Sequence, residues 1–244
     1  MMLYHTDLPS LTEPTYWLGE PQPGLLEMVY QHEANPNPSF LFAQTPLAEL
    51  QEHGPLLVSL SPQSGVLRLL KDAPDRFKGI LLTTSVERSF LLAHLQVLLD
   101  ISFASQRRAI FRYYDPVVAS YFWPTIGVDE AAIWMGPIHQ IFWYGGTWAD
   151  KAEGKLQWHE LTKPRSAKPA AHAGRYVLGA EQQQALINQS VEQFAFNWLR
   201  LNSPVPFPQL IRQIHAGIAA GHEDEASLTA WLDNQNRYGM ERQG

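Results

Sequence analysis

The sequence contains no cysteine among its 244 residues. This absence excludes disulfide bonds, thiolate metal ligands and a cysteine nucleophile. Small secreted domains often depend on disulfides, whereas a chain of this length can bury a large apolar core without them. A reducing compartment is therefore the simplest expectation for this protein.

Long apolar runs and basic runs are missing as well. No segment approaches the roughly 18 uninterrupted apolar residues that a membrane helix needs. The start of the chain, residues 1–7, has neither the basic residues nor the apolar stretch of a signal peptide. The net charge of −6 and the pI of about 5.8 disfavour a nucleic-acid binder, which needs a basic face. We expect a cytoplasmic protein that binds neither membranes nor nucleic acids.

Recognisable catalytic motifs are also absent from the sequence. Gln63-Ser64-Gly65 lacks the first glycine of the G-x-S-x-G nucleophile motif, and His32-Glu33 is not followed by the second histidine of H-E-x-x-H. No glycine-rich phosphate loop occurs. His139, His159 and His172 are scattered and lack the spacing of a metal site. The sequence therefore predicts no cofactor, no metal and no enzymatic activity.

Apolar strand-like runs alternate with helical patterns in the first part of the chain. Residues 56–60 and 79–82 are typical of buried strands. A helix is expected over residues 86–100, opened by Thr84-Ser85-Val86-Glu87, which fits a capping box. The alternation predicts an α/β fold in which an N-terminal mixed β-sheet lobe with flanking helices occupies residues 1–162.

The last part of the chain has a helical pattern. Two amphipathic helices are expected over residues 207–218 and 228–238, after a longer one whose apolar residues recur at spacings of three and four. Residues 163–174 lack apolar periodicity, so we place a linker or exposed loop there and a small all-helical C-terminal lobe at residues 175–244. The apolar stripe of the longer helix comprises Ile187, Val191, Phe194, Trp198 and Leu201.

The strongest local signals lie between the two ends of this pattern. The aromatic and β-branched residues 108–116 predict a strand that ends at Asp115-Pro116. Asp115 suits the N-cap of a helix, and Pro116 suits the first helical position because its missing N–H is not needed there. A short helix over residues 117–122 is therefore expected to follow the strand directly.

A second short helix, at about residues 129–135, is expected to end at Gly136-Pro137. Glycine accepts a left-handed cap and proline cannot continue a helix. An aromatic strand over residues 138–144 comes next. We expect most aromatic side chains between residues 113 and 148 to lie in the core, and some of them could form an exposed patch for a protein partner.

These motifs resemble the signature of a known family, the type VI secretion effector adaptors, which are also called effector chaperones. The resemblance is carried by His94-Leu95 in a helix, by residues 111–116 at the strand end and by Gly136-Pro137 after the next helix. It extends from about Ser39 to Gly239. The motif residues, for which we expect structural roles, are His94, Leu95, Phe111, Arg112, Tyr113, Asp115, Pro116, Gly136 and Pro137.

The resemblance implies a fold and a function. It implies a mixed α/β lobe followed by a helical lobe, in agreement with the residue pattern. It also implies a non-enzymatic adaptor that holds a toxic effector and loads it onto the VgrG spike of a type VI secretion system. One surface would bind a segment of the effector and another the C-terminal region of the spike, without a cofactor.

Two alternatives to the adaptor remain at this stage. An enzyme of another class could use His94, Arg112 and Asp115, although apolar neighbours at helical spacing favour a structural role for His94. Strand alternation would bury Arg112 in part, and a buried arginine needs a carboxylate partner, for which Asp115 and Asp100 are the candidates. The second alternative is a structural module of a larger assembly.

Overall fold

Antiparallel strands form the centre of the fold. The computed structural model describes residues 2–5, 7–8, 13–103, 107–165, 176–202 and 205–241. The strands are β1 Met2–His5, β2 Thr15–Gly19, β3 Ser39–Phe40, β4 Leu56–Leu60, β5 Gly79–Thr83, β6 Asp100–Phe103, β7 Arg107–Ile110, β8 Gln140–Gly145, β9 Gln157–Thr162 and β10 Tyr176–Val177. The helices are α1 Leu25–His32, α2 Gly65–Asp72, α3 Arg88–Val97, α4 Pro116–Phe122, α5 Val128–Met135, α6 Trp148–Ala152, α7 Ala180–Leu201, α8 Phe207–Ala219 and α9 Glu225–Glu241.

The larger sheet has seven strands in the order β1-β9-β8-β5-β2-β4-β3. Its pairings are antiparallel, and β2 lies between β4 and β5 with Thr15 opposite both Leu60 and Thr83. Every residue of β2 is buried, because the sheet is covered on both faces. Trp17 packs with α1 and α2 on one face, whereas Leu18 packs with α3, α4 and α5 on the other. This layering explains why β4 and β5 are mostly apolar, with Ser59 and Thr83 as their polar residues.

A smaller sheet has three strands in the order β10-β6-β7. Its β6–β10 pair is parallel and its β6–β7 pair is antiparallel, so this sheet is mixed. The strand β10 lies at the start of residues 175–244, where only helices were expected. The expected strand over residues 108–116 is too long, since β7 ends at Ile110. The expected helix over residues 86–100 is also too long, since α3 ends at Val97 and Asp100 already belongs to β6.

The helices α7, α8 and α9 form the C-terminal helical region, which confirms the predicted fold class. Their core includes Trp198 of α7, Leu210 of α8 and Leu232 of α9. The expected apolar stripe of α7 is wrong at two positions, because the side chains of Ile187 and Leu201 are 55% and 86% exposed. The periodicity located the helix correctly, but a helix covered along only part of one side leaves some of its apolar residues in solvent.

The predicted capping box at Thr84 is wrong. Glu87 is the N-cap of α3 and makes no side-chain cap hydrogen bond, while the Thr84 hydroxyl donates to the carbonyl oxygen of Pro137 at 2.7 Å. A capping box instead opens α6, where Thr147 and Asp150 bond each other's backbone N–H groups. With only five residues, α6 is too short for a recurring pattern of apolar residues to indicate it.

The predicted boundary between lobes stays a prediction. Of the expected linker at residues 163–174, only residues 163–165 are described, and the rest lies outside the described residues. Lys163 continues the pairing of β9, since its N–H donates to the carbonyl oxygen of His139 at 2.8 Å. Within the described ranges, no helix has the length and apolar character needed to cross a membrane.

Candidate functional site

The turn that leads from β7 into α4 contains four of the motif residues. The N–H of Phe111 donates to the carbonyl oxygen of Leu99, which extends the β6–β7 pairing by one residue. The chain then turns, and the N–H of Asp115 donates to the carbonyl oxygen of Arg112 at 2.9 Å. Asp115 caps α4 as predicted, because its Oδ1 accepts a hydrogen bond from the N–H of Val117 at 2.8 Å. Pro116 takes the first helical position and is buried.

Tyr113 joins this turn to α3. Its side chain is fully buried, and its hydroxyl donates to the carbonyl oxygen of Leu95 at 2.8 Å. Carbonyls in the last turn of a helix lack intrahelical partners, so this bond satisfies one of them. Burial raises the pKa of the Tyr113 hydroxyl well above its usual value, which keeps it a donor at all ordinary pH values. Tyr113 and Leu95 are thus one structural contact between two of the motifs.

His94 joins α3 to the end of α5. Its Nε2 lies 3.1 Å from the carbonyl oxygen of Trp134 and its Nδ1 lies 3.4 Å from the Tyr176 hydroxyl. Gly136 follows α5 with φ 52° and ψ −118°, and a Cβ there would lie 2.6 Å from Nδ1 of His94. The glycine therefore leaves room for the imidazole. Its own carbonyl oxygen accepts a hydrogen bond from Nζ of Lys163 at 2.7 Å.

Arg112 lies beside the N-cap and is held mainly by a residue that the sequence did not reveal. Its Nη2 lies 2.6 Å from Oε1 of Glu20 and 3.3 Å from Oδ2 of Asp115, and its side chain is 56% exposed. Asp115 is therefore a partner, as expected, whereas Asp100 pairs with Arg108 instead. The partial burial of Arg112 that was expected from strand alternation is wrong, because Arg112 lies in the turn after β7 and not in a strand. Burial, followed by the charge of Asp115, raises the pKa of the Glu20 carboxyl.

The structure does not support His94, Arg112 and Asp115 as one catalytic group. The named contacts of His94 are with Trp134 and Tyr176 in the interior, whereas those of Asp115 are with the first turn of α4 and with Arg112 at the surface. The motif residues converge as a scaffold that fastens α3, α4 and α5 to one another.

A groove of about 720 Å³ lies next to this scaffold, between β7 and α7. We call it the β7–α7 groove. Its walls carry two exposed apolar side chains, Ile110 at 53% and Ile187 at 55%. Arg112 and Asp115 lie at one end. The apolar floor includes Ile101, Phe103, Ala109, Val118, Leu178 and Leu186.

The α7 wall of the groove is anchored by Glu192. Its Oε2 accepts a hydrogen bond from the Tyr121 hydroxyl of α4 and another, at 3.1 Å, from the N–H of Ala149 in α6. The Tyr121 oxygen in turn accepts from the N–H of Trp148 at 2.9 Å. Burial, then the bond to Glu192, raises the pKa of Tyr121. One carboxylate thus fixes α7 against two helices of the N-terminal region.

A second polar cluster, which sequence reasoning missed, lies at the start of β8. Nδ1 of His139 is 2.6 Å from Oε2 of Glu13, and Nε2 is 3.4 Å from Oγ of Ser85. The three residues come from separate parts of the chain, and no sequence motif links them. His159 is elsewhere and is buried against Trp143, while His172 lies outside the described residues.

Comparison with known proteins gives one match. Residues 16–132 match the family model DUF4123, described as a domain of unknown function. The matched stretch contains His94-Leu95 and residues 111–116, and it ends before Gly136-Pro137. Neither a comparison with curated proteins nor one with solved structures gave a match.

Proposed function

We propose that this protein is a non-enzymatic adaptor that binds a toxic effector and loads it onto the VgrG spike of a type VI secretion system. The observation that carries the proposal is the match of residues 16–132 to DUF4123, a family associated with type VI secretion effector adaptors. The spike and the effector are the two partners, and no cofactor or chemical step is involved.

The arrangement of the motif residues supports this proposal. Tyr113, His94 and Asp115 are engaged in bonds to main-chain groups of the protein itself. Residues used in this way stabilise a rigid framework and leave recognition to the surfaces that the framework carries. The β7–α7 groove is such a surface, since it is concave, largely apolar and within the 300–1,000 Å³ that is typical of binding pockets.

Co-expression tests the proposal. The full-length protein is expressed with the spike and the toxin encoded beside its gene, and the mixture is separated by size-exclusion chromatography. We expect a complex that contains the adaptor and the toxin, and a second complex that contains the spike. Elution of the protein alone, beside both candidates, contradicts the adaptor function.

One observation favours a second candidate, a hydrolase that uses Ser85 as nucleophile. Ser85, His139 and Glu13 stand in the order of a serine–histidine–carboxylate triad, and Ser85 lies in the four-residue connection between β5 and α3. A fluorophosphonate probe distinguishes the two candidates. A triad predicts labelling of the wild type that is lost in Ser85→Ala, whereas the adaptor proposal predicts no labelling of either protein.

A further inference from the structure

The β7–α7 groove borders an open sheet edge. The N–H of Phe111 donates to Leu99, and Ile101 lies opposite Ala109, so the main-chain groups of Ala109 point toward β6. In an antiparallel pair these directions alternate, and the N–H and C=O groups of Arg108 and Ile110 therefore point away from the sheet. No strand among the described residues pairs with this edge. Such an edge is a template for an incoming strand.

The groove supplies a place for the side chains of such a strand. Its floor is formed by the core-facing side of the small sheet and by Leu186 and Val118, all apolar. Ile110 of β7 and Ile187 of α7 both line the groove, and each exposes more than half of its side chain. An incoming strand that inserts alternate apolar side chains would remove both from water, at roughly 25 cal/mol per Å² of apolar surface.

The charged residues at this edge indicate which charge a bound segment would carry. Residues 101–114 contain three arginines and no acidic residue, in a chain whose net charge is −6. Arg108 is paired with Asp100, and Arg112 with Glu20 and Asp115. Arg107 is exposed, and no ion pair of it occurs within the described ranges. The edge therefore favours a segment that carries a carboxylate near Arg107.

A second copy of this chain does not meet these requirements. In a pair of antiparallel β7 strands, Arg107 of each copy would find no carboxylate on the other copy's β7, because residues 107–110 contain none. The carboxylates beside this edge already pair with Arg108 and Arg112, and two further positive charges on neighbouring strands disfavour the pairing. The occupant is a different protein, with an extended segment of opposite charge.

We propose that the β7–α7 groove binds an extended segment of the effector, which pairs with β7 as a fourth strand, inserts apolar side chains between Ile110 and Ile187, and places a carboxylate at Arg107. The inference rests on the proposed function. In recognition by strand addition, main-chain bonds supply affinity and side-chain pockets supply specificity, and here the groove and Arg107 would supply the specificity.

Three variants of the full-length protein test this assignment against the co-expressed toxin. Ile187→Glu changes a residue that lines the groove, and Arg107→Glu reverses the charge at the start of β7. Leu201→Glu is the matched control, because it makes the same apolar-to-acidic change on the same helix at a residue that is 86% exposed and does not line the groove. All three sites are exposed, so melting temperatures close to that of the wild type verify folding.

We expect Ile187→Glu and Arg107→Glu each to weaken toxin binding by at least roughly tenfold, since the first places a charge in the apolar part of the site and the second repels the expected carboxylate. Leu201→Glu should bind the toxin as the wild type does, and all three variants should bind the spike as the wild type does. Hydrogen exchange over residues 107–111 should slow when the toxin binds, because the outward amides of β7 become bonded. The loss for Arg107→Glu should shrink at high salt.

Two results overturn the inference without touching the proposed function. The first is toxin binding by Ile187→Glu and Arg107→Glu that equals binding by Leu201→Glu. The second is a loss of spike binding in place of toxin binding, which assigns the groove to the other partner. If the wild type binds neither toxin nor spike, the proposed function itself fails, and the inference fails with it.

Discussion

The contact between Gly136 and His94 gives the sharpest test of the scaffold. Replacing Gly136 with alanine places a Cβ 2.6 Å from Nδ1 and 2.8 Å from Nε2 of the imidazole, where real Cβ atoms do not approach. The backbone at φ 52° and ψ −118° also suits glycine only. Gly136→Ala therefore forces two changes, a strained backbone and a displaced His94.

The expected cost follows from these two changes. A non-glycine residue in a sparsely populated backbone region costs about 1–3 kcal/mol. Displacement of the ring loses the hydrogen bond from His94 to the Trp134 carbonyl, which adds about 1 kcal/mol. The sum, roughly 2–4 kcal/mol, lowers the melting temperature by on the order of 10 °C in a protein of this size.

A double-mutant cycle separates the two contributions. His94→Ala removes the ring, so Gly136→Ala made in that background retains only the backbone cost and should destabilise by about 1 kcal/mol less than in the wild type. Urea unfolding of the four proteins measures this difference. Costs of Gly136→Ala that agree within about 0.5 kcal/mol in the two backgrounds would mean that the imidazole does not require the glycine.

Three further predictions concern other parts of the molecule. Asp115→Ala should lower the free energy of unfolding by about 1 kcal/mol, because the N-cap hydrogen bond is lost. Asp115→Asn should cost considerably less, because the amide oxygen can accept the hydrogen bond from Val117. Loss of partner binding by a fully stable Asn variant would show that Asp115 is a binding residue instead. Tyr113→Phe should cost about 1–2 kcal/mol, measured by urea unfolding, because the buried carbonyl of Leu95 loses its donor; an unchanged midpoint contradicts this. Burial lowers the pKa of His159 in the folded protein below its usual value of 6.5, so the unfolded chain binds a proton more readily as the pH falls. The contribution of His159 to stability is therefore full above about pH 6.5 and decreases as the pH drops toward the pKa of the folded protein. His159→Gln should flatten the dependence of stability on pH between about pH 7.5 and 5.5, while an identical slope in the two proteins refutes the assignment.

Local chemistry made the entry into α4 predictable. Asp115 and Pro116 act within one helical turn, so their residue types alone indicate a cap and a first helical position. The end of α5 at Gly136 followed from the same kind of signal. The end of α3 did not, because no glycine or proline lies between Val97 and Ile101 to mark the change from helix to strand. Only tertiary pairing with β7 makes Asp100 the start of a strand.

Only part of the candidate site could be predicted from the sequence, because several of its contacts join residues that are far apart along the chain. Arg112 was recognised as a residue in need of a carboxylate, but Glu20 is 92 positions away in the sequence. The same holds for the cluster of Glu13 and His139, which are 126 positions apart. Pairings of this kind arise from sheet order, and residue type alone supplies no distance between them. The groove could not be predicted from the sequence either, because Ile187 follows the periodicity of a buried apolar stripe and yet is exposed to solvent.

The anchoring of α7 by Glu192 has a consequence for the energetics of recognition. A wall tied to Tyr121 and Ala149 cannot open or close without breaking both bonds, so the groove keeps its width whether it is empty or filled. The protein is then pre-organised, and most of the conformational entropy lost on association comes from the segment that becomes ordered. Rigidity in that segment, for instance a proline outside the paired positions, should therefore tighten binding, while added flexibility in the partner should weaken it.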